Sequence, residues 1–181
     1  MKKILKRGLY IMKAKGRHGT HSPFVYAFVE QVLRSKTKFI VQEKNTFSQK
    51  EISLLGRAFQ YLNPSVVYVE DDLKLLIEDL KSNNAPLHFE VKPMNLNEHN
   101  HWDNGLYFCL PTKENIAFLK SKASSQTITA IILHQHKSKT NFENWEELGR
   151  DENLKMVMDV WSFGFVSNNA DFKLKQFFRL R

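Results

Sequence analysis

Val66-Val67-Tyr68-Val69-Glu70-Asp71-Asp72-Leu73-Lys74-Leu75-Leu76 decides the fold of this 181-residue chain. Val66–Val69 is a short apolar, β-branched run of strand character, and Leu73–Lys81 continues as a helix. A strand that turns tightly into a helix is where doubly wound α/β domains hold the phosphate or adenosine part of a cofactor, because glycines there let the backbone approach the ligand. This junction contains no glycine. Asp71 and Asp72 instead suit a helix N-terminus, where negative charge and capping groups stabilise exposed N–H groups. An acidic turn would also attract a cationic ligand.

Outward from this junction the chain alternates in the manner of a parallel sheet with crossover helices. Upstream, Ser22-Pro23 starts a helix whose apolar face is Phe24, Val25, Phe28, Val29, Val32 and Leu33. Ser48 and Glu51 form a capping box before the stripe Ile52, Leu55, Ala58, Phe59 and Leu62, and Asn63-Pro64 ends that helix. Downstream, the patterns predict strands at Leu87–Val91, Leu106–Leu110 and Ile128–Leu133, with helices at Lys113–Lys122 and Phe142–Arg150. The stretch Asn95–Asn104 reads as a surface loop. Lys155–Val160 and Phe163–Ser167 are joined too tightly for a parallel crossover and are expected to pair antiparallel.

The composition, 42% apolar with fourteen Phe, supports one sizeable core. We divide the chain into a basic arm and helical cap, 1–47, and an α/β domain, 48–181. The net charge of +8 is concentrated in the arm: Lys2, Lys3, Lys6, Arg7, Lys13, Lys15 and Arg17 carry seven charges, and the chain from Glu30 onward sums to +1. Ile4, Leu5, Leu9 and Met12 fall on the other side of the same helical pattern. Such an arm can touch RNA, lie on an anionic membrane, or pack against the protein's own body. No apolar run approaches the roughly 20 residues of a membrane span. Leu9–Met12 is too short for a signal-peptide core, so the expected location is cytoplasmic. The single cysteine, Cys109, excludes an internal disulfide and, inside an apolar strand, reads as a core residue.

Several segments, in their order along the chain, resemble a group of bacterial class I S-adenosylmethionine-dependent methyltransferases. They are His21-Ser22-Pro23-Phe24-Val25, Leu54-Leu55-Gly56-Arg57, Tyr61-Leu62-Asn63-Pro64, Trp145-Glu146-Glu147-Leu148 and Met158-Asp159-Val160-Trp161-Ser162-Phe163-Gly164-Phe165-Val166. The resemblance implies a Rossmann-like methyltransferase fold: a mostly parallel sheet with a C-terminal antiparallel hairpin and N-terminal helices. The family's cofactor motif, an acid ending the first strand followed by Gly-x-x-x-Gly, aligns without a gap and differs at each functional position. Tyr68 stands at the acid, Glu70 at the first glycine and Lys74 at the second. Side chains there obstruct close backbone approach and disfavour left-handed conformations.

Glu90, in Phe89-Glu90-Val91, matches the family's ribose-binding acid, and a carboxylate there could accept from both ribose hydroxyls. The cofactor-facing set the resemblance implies is thus Glu90, Glu70, Asp71 and Asp72. Tyr107–Pro111 offers no acid where such proteins present an aspartate, and His134-Gln135-His136 replaces a pair of aspartates. If the strand ran through His136, the two imidazoles would point the same way, and His99, His101 or Asp103 could join them around zinc. The absence of Cys-x-x-Cys or His-Glu-x-x-His spacing argues for solvent-facing histidines and no metal. The expectation is a methyltransferase-like protein with impaired cofactor binding or no activity, its catalytic residues unassigned. The alternatives are an active divergent methyltransferase of unknown acceptor, or a module binding RNA or membrane through the arm.

Overall fold

A computed structural model describes residues 8, 10–12, 14, 22–42, 47–96 and 105–180. The basic residues assigned to the arm, and most of the loop between Asn95 and Asn104, lie outside the described residues.

The first helix, α1 (Pro23–Phe28), begins at N-cap Ser22, whose hydroxyl accepts from Val25 N–H, with Pro23 at the first helical position. It runs on into a single π turn, Val29–Leu33, closed by Arg34 N–H donating to Val29 O. Helix α2 (Gln49–Leu62) starts at the Ser48/Glu51 capping box, with both reciprocal bonds made, and stops at Asn63 in the left-handed region. Then come β1 (Val66–Val69), α3 (Asp71–Ser82), β2 (Glu90–Pro93), β3 (Leu106–Cys109), α4 (Lys113–Ser125), β4 (Thr129–Leu133), α5 (Lys139–Arg150), β5 (Met156–Asp159), β6 (Phe163–Ser167) and β7 (Gln176–Arg179).

These strands form one seven-stranded sheet of order β2-β1-β3-β4-β6-β5-β7. β6 runs antiparallel to both neighbours, and all other pairs are parallel. The chain is therefore an α/β protein with a mostly parallel sheet and the expected antiparallel pair near its C-terminus. The inner strands β3 and β4 are buried on both faces, as parallel strands between helices must be.

Alternate residues of each strand feed two cores. On one face Val67, Phe108, Ile131 and Phe165 meet the apolar stripes of α1, α2 and α3. On the other, Cys109, Ile132 and Val166 meet Ile116 and Leu119 of α4 and Trp145 and Leu148 of α5. Val25, Phe28, Val32 and Phe39, from the segment assigned to a cap, belong to the first of these cores. The Phe39 ring lies so close to Gly56 that a Cβ there would sit 2.2 Å from it, which ties the connection between α1 and α2 onto α2.

Two strands differ from the sequence reading. The second strand, expected at Leu87–Val91, begins only at Glu90, which registers with Val66. Leu87 and Phe89 are apolar because they pack on the first core, Phe89 lying 5.3 Å from Phe59, and not because they join the ladder. The polar Lys92 and Pro93 are tolerated because β2 is an edge strand. β7 was not expected at all. It is an edge strand with Phe177 52% exposed, so it lacks the strong apolar signature of an interior strand.

Candidate functional site

In an open parallel sheet a ligand crevice forms outside the carboxyl ends of the strands where the strand order reverses. Here the order reverses between β1 and β3. The residues leaving those strands are Glu70 and Leu110, and they are bonded to each other. Glu70 N–H donates to Phe108 O at 3.1 Å, and Leu110 N–H donates to the Glu70 carboxylate at 2.7 Å. Glu70 is the N-cap residue of α3 but makes no side-chain cap bond, because its carboxylate is turned across the crevice. Asp71 and Asp72 occupy the first turn of α3, exposed to solvent, as their chemistry predicts. Lys74 is one turn further on and pairs loosely with Glu78 at 3.9 Å.

Tyr68 does not reach this crevice either. Its side chain lies on the opposite face of β1 from Val67 and Val69, beside Tyr107 and directly over Gly105, where a Cβ would come within 2.1 Å of the ring. Burial pushes the phenols of both tyrosines up, Tyr107 to about 12.

Glu90 opens β2 instead of ending it, so it lies at the amino edge of the sheet, about 13 Å along the strand direction from the crevice. Its side chain is 61% exposed and pairs with Lys92 at 3.1 Å. The structure thus brings Glu70, Asp71 and Asp72 together and leaves Glu90 apart from them. The Glu70 carboxylate, bonded to Leu110 N–H, lies where the resemblance implies a glycine.

The histidine pair is also separated. β4 ends at Leu133, and His134 turns into the left-handed region at φ 59°. The two rings consequently have different partners: His134 stacks on Phe47 at 4.6 Å, and His136 stacks on Trp161 at 4.6 Å. Among the described residues no group of three His, Cys, Asp or Glu could hold a metal ion. Cys109 is fully buried, and burial raises its thiol pKa well above the ordinary range.

A further polar cluster among the described residues surrounds Asp159, which has no role in the resemblance-implied site. Asp159, at the end of β5, is 0% exposed. His136 Nε2 lies 2.9 Å from both of its oxygens, Gln135 Nε2 donates at 3.2 Å, and Trp161 N–H donates at 3.1 Å. Arg179 Nε stands 3.6 Å away and has no hydrogen bond of its own.

Tyr10 closes the cluster from above. Its hydroxyl is shared between Asp159 O at 2.6 Å and Leu180 O at 2.9 Å, and its ring meets His136, Trp161 and Arg179. Burial, reinforced by the Asp159 charge, drives the Tyr10 phenol pKa up. Among the described residues of the arm, Tyr10 and Ala14 are buried, while Met12 is exposed. His136 Nε2 faces the Asp159 carboxylate, and no nucleophile is bonded to the ring among the described residues. The cluster holds the hairpin between β5 and β6 in place, including Trp161 at φ 59°. An acid that closes the apolar run Met156-Val157-Met158 was its one sequence signal, since carboxylates are rarely buried without partners.

Comparison of the chain with protein-family models, with curated proteins and with solved structures returned no match. Function therefore rests on the geometry.

Above Tyr10 and Trp161 lies a cleft of about 840 Å³ between the hairpin and the layer formed by the π turn and α2. Leu33, Leu54, Val160 and Trp161 supply apolar wall, and Lys36, Lys38, Lys50 and Arg57 supply positive charge.

Proposed function

We propose that this chain is a methyltransferase-like protein of Rossmann-like fold that does not bind S-adenosylmethionine and does not transfer methyl groups. The observation that carries this reading is the bond from Leu110 N–H to the Glu70 carboxylate, which spans the crevice at the reversal of strand order. Methyl transfer asks a protein mainly for proximity and orientation, so a badly held cofactor removes most of the rate. The strand order around β1 and the antiparallel β6 agree with the architecture that the resemblance implies, and the glycine positions are where the chain departs from it.

Calorimetric titration with S-adenosylmethionine and with S-adenosylhomocysteine, together with thermal melting in their presence, tests the proposal. The expected result is no heat and no shift in melting temperature. Micromolar binding of either compound overturns it. Methyl transfer by a protein that binds S-adenosylmethionine would then favour an active divergent methyltransferase.

A further inference from the structure

The cleft beside the β5–β6 hairpin combines two properties that point to one kind of ligand. The first is a partly desolvated cation that no acid among the described residues pairs with. Arg57 lines the cleft, and its Nη1 donates to Ser35 O. Its Nε is buried and bonds to nothing, and no acid pairs with it among the described residues. A guanidinium taken from water without an anion is costly, and burial lowers the Arg57 pKa accordingly. Lys36, Lys38 and Lys50 add three exposed cations around the same opening. The acid on the wall, Glu51, has its carboxylate engaged by the N–H and hydroxyl of Ser48 in the capping box.

The second property is the apolar lining from Leu33, Leu54, Val160 and Trp161, of which Trp161 is tied to Asp159 through its backbone N–H. About 840 Å³ lies within the range of small-molecule sites. An arginine on the wall of an apolar cleft, with three lysines around the opening, matches a carboxylate or phosphate attached to an apolar body, since a guanidinium presents a fork that suits both oxyanions.

We propose that this cleft binds a small organic oxyanion, its carboxylate or phosphate on Arg57 and its apolar body against Leu54, Val160 and Trp161. The site is separate from the β1/β3 crevice, and the proposal does not rest on the fate of the methyltransferase cofactor.

Four probes, each kept below its micelle concentration, separate the contributions: decanoate, decyl phosphate, decanol and inorganic phosphate. Calorimetry on the full chain should show both amphiphilic anions binding, with decanol and inorganic phosphate each at least about tenfold weaker, the size expected from losing a charge-assisted hydrogen bond or the apolar contact. Arg57→Gln should weaken the two anions by at least about tenfold and leave decanol unchanged. The double variant Lys36→Gln/Lys38→Gln, on exposed positions that do not threaten folding, should weaken the anions and flatten their salt dependence. It carries the test by itself if Arg57→Gln does not fold. Binding of none of the four probes overturns the proposal. So does equal affinity for decanol or for inorganic phosphate, or wild-type affinity in the variants that fold.

Discussion

Replacing Asp159 with alanine should be among the most damaging single changes in this protein. The carboxylate is 0% exposed and satisfies Trp161 N–H, the Gln135 amide and His136 Nε2, while balancing Arg179 at 3.6 Å. Its removal leaves the buried Gln135 amide, the Trp161 N–H and the partly buried Arg179 guanidinium without that acceptor. Breaking a buried charged pair from one side costs about 3–5 kcal/mol. Set against a total stability of about 5–15 kcal/mol, that is a large fraction, and for a chain of this length it corresponds to a fall of about 6–20 °C in melting temperature. Urea unfolding should show a lower midpoint at an unchanged slope, and near-ultraviolet circular dichroism should lose part of the Trp161 signal. Asp159→Asn keeps one carbonyl oxygen for Trp161 N–H and should recover part of the loss. A cost below about 1 kcal/mol for Asp159→Ala, the level of an exposed ion pair, would refute the view that this cluster holds the hairpin.

Three further outcomes follow from packing and ionisation. Gly164→Ala places a Cβ 2.3 Å from the ring of the fully buried Trp145 and should cost about 1–3 kcal/mol in denaturant unfolding. Gly149→Ala, on α5 with its nearest neighbour at 3.5 Å, should instead stabilise by about 0.5–1 kcal/mol. In alkali, the raised phenol of Tyr107 means that the folded state holds its proton where the unfolded chain, with a tyrosine pKa of about 10, has released it. The stabilisation is complete below pH 10 and is lost as pH rises towards about 12, so Tyr107→Phe should shallow the fall in stability over that window, read by urea unfolding at a series of pH values.

The strongly periodic segments were legible in the sequence. The caps at Ser22 and Ser48, the stripe of α2, the turn from β1 into α3 and the antiparallel hairpin all depend on neighbours within a few residues. The edges of the sheet were not. Leu87 and Phe89 look like strand because burial alone selects apolar residues, whether or not their backbone enters a ladder. β7 looks like loop because an edge strand has one partner and need not be apolar on both faces.

The candidate sites divide along the same line. By itself the sequence determined that the β1–α3 turn has no glycine and carries acids in its first turn, since that is a matter of residue identity and local helix chemistry. Only the tertiary structure decided that Glu70 spends its carboxylate on Leu110, forty positions away in sequence, and that Glu90 lies at the amino edge of the sheet. The same holds for Tyr10 meeting Asp159 and for Arg57 facing the hairpin cleft. Strand register and strand order determine which side chains converge, and both arise from burial summed over the whole sheet, which no local stretch of sequence contains.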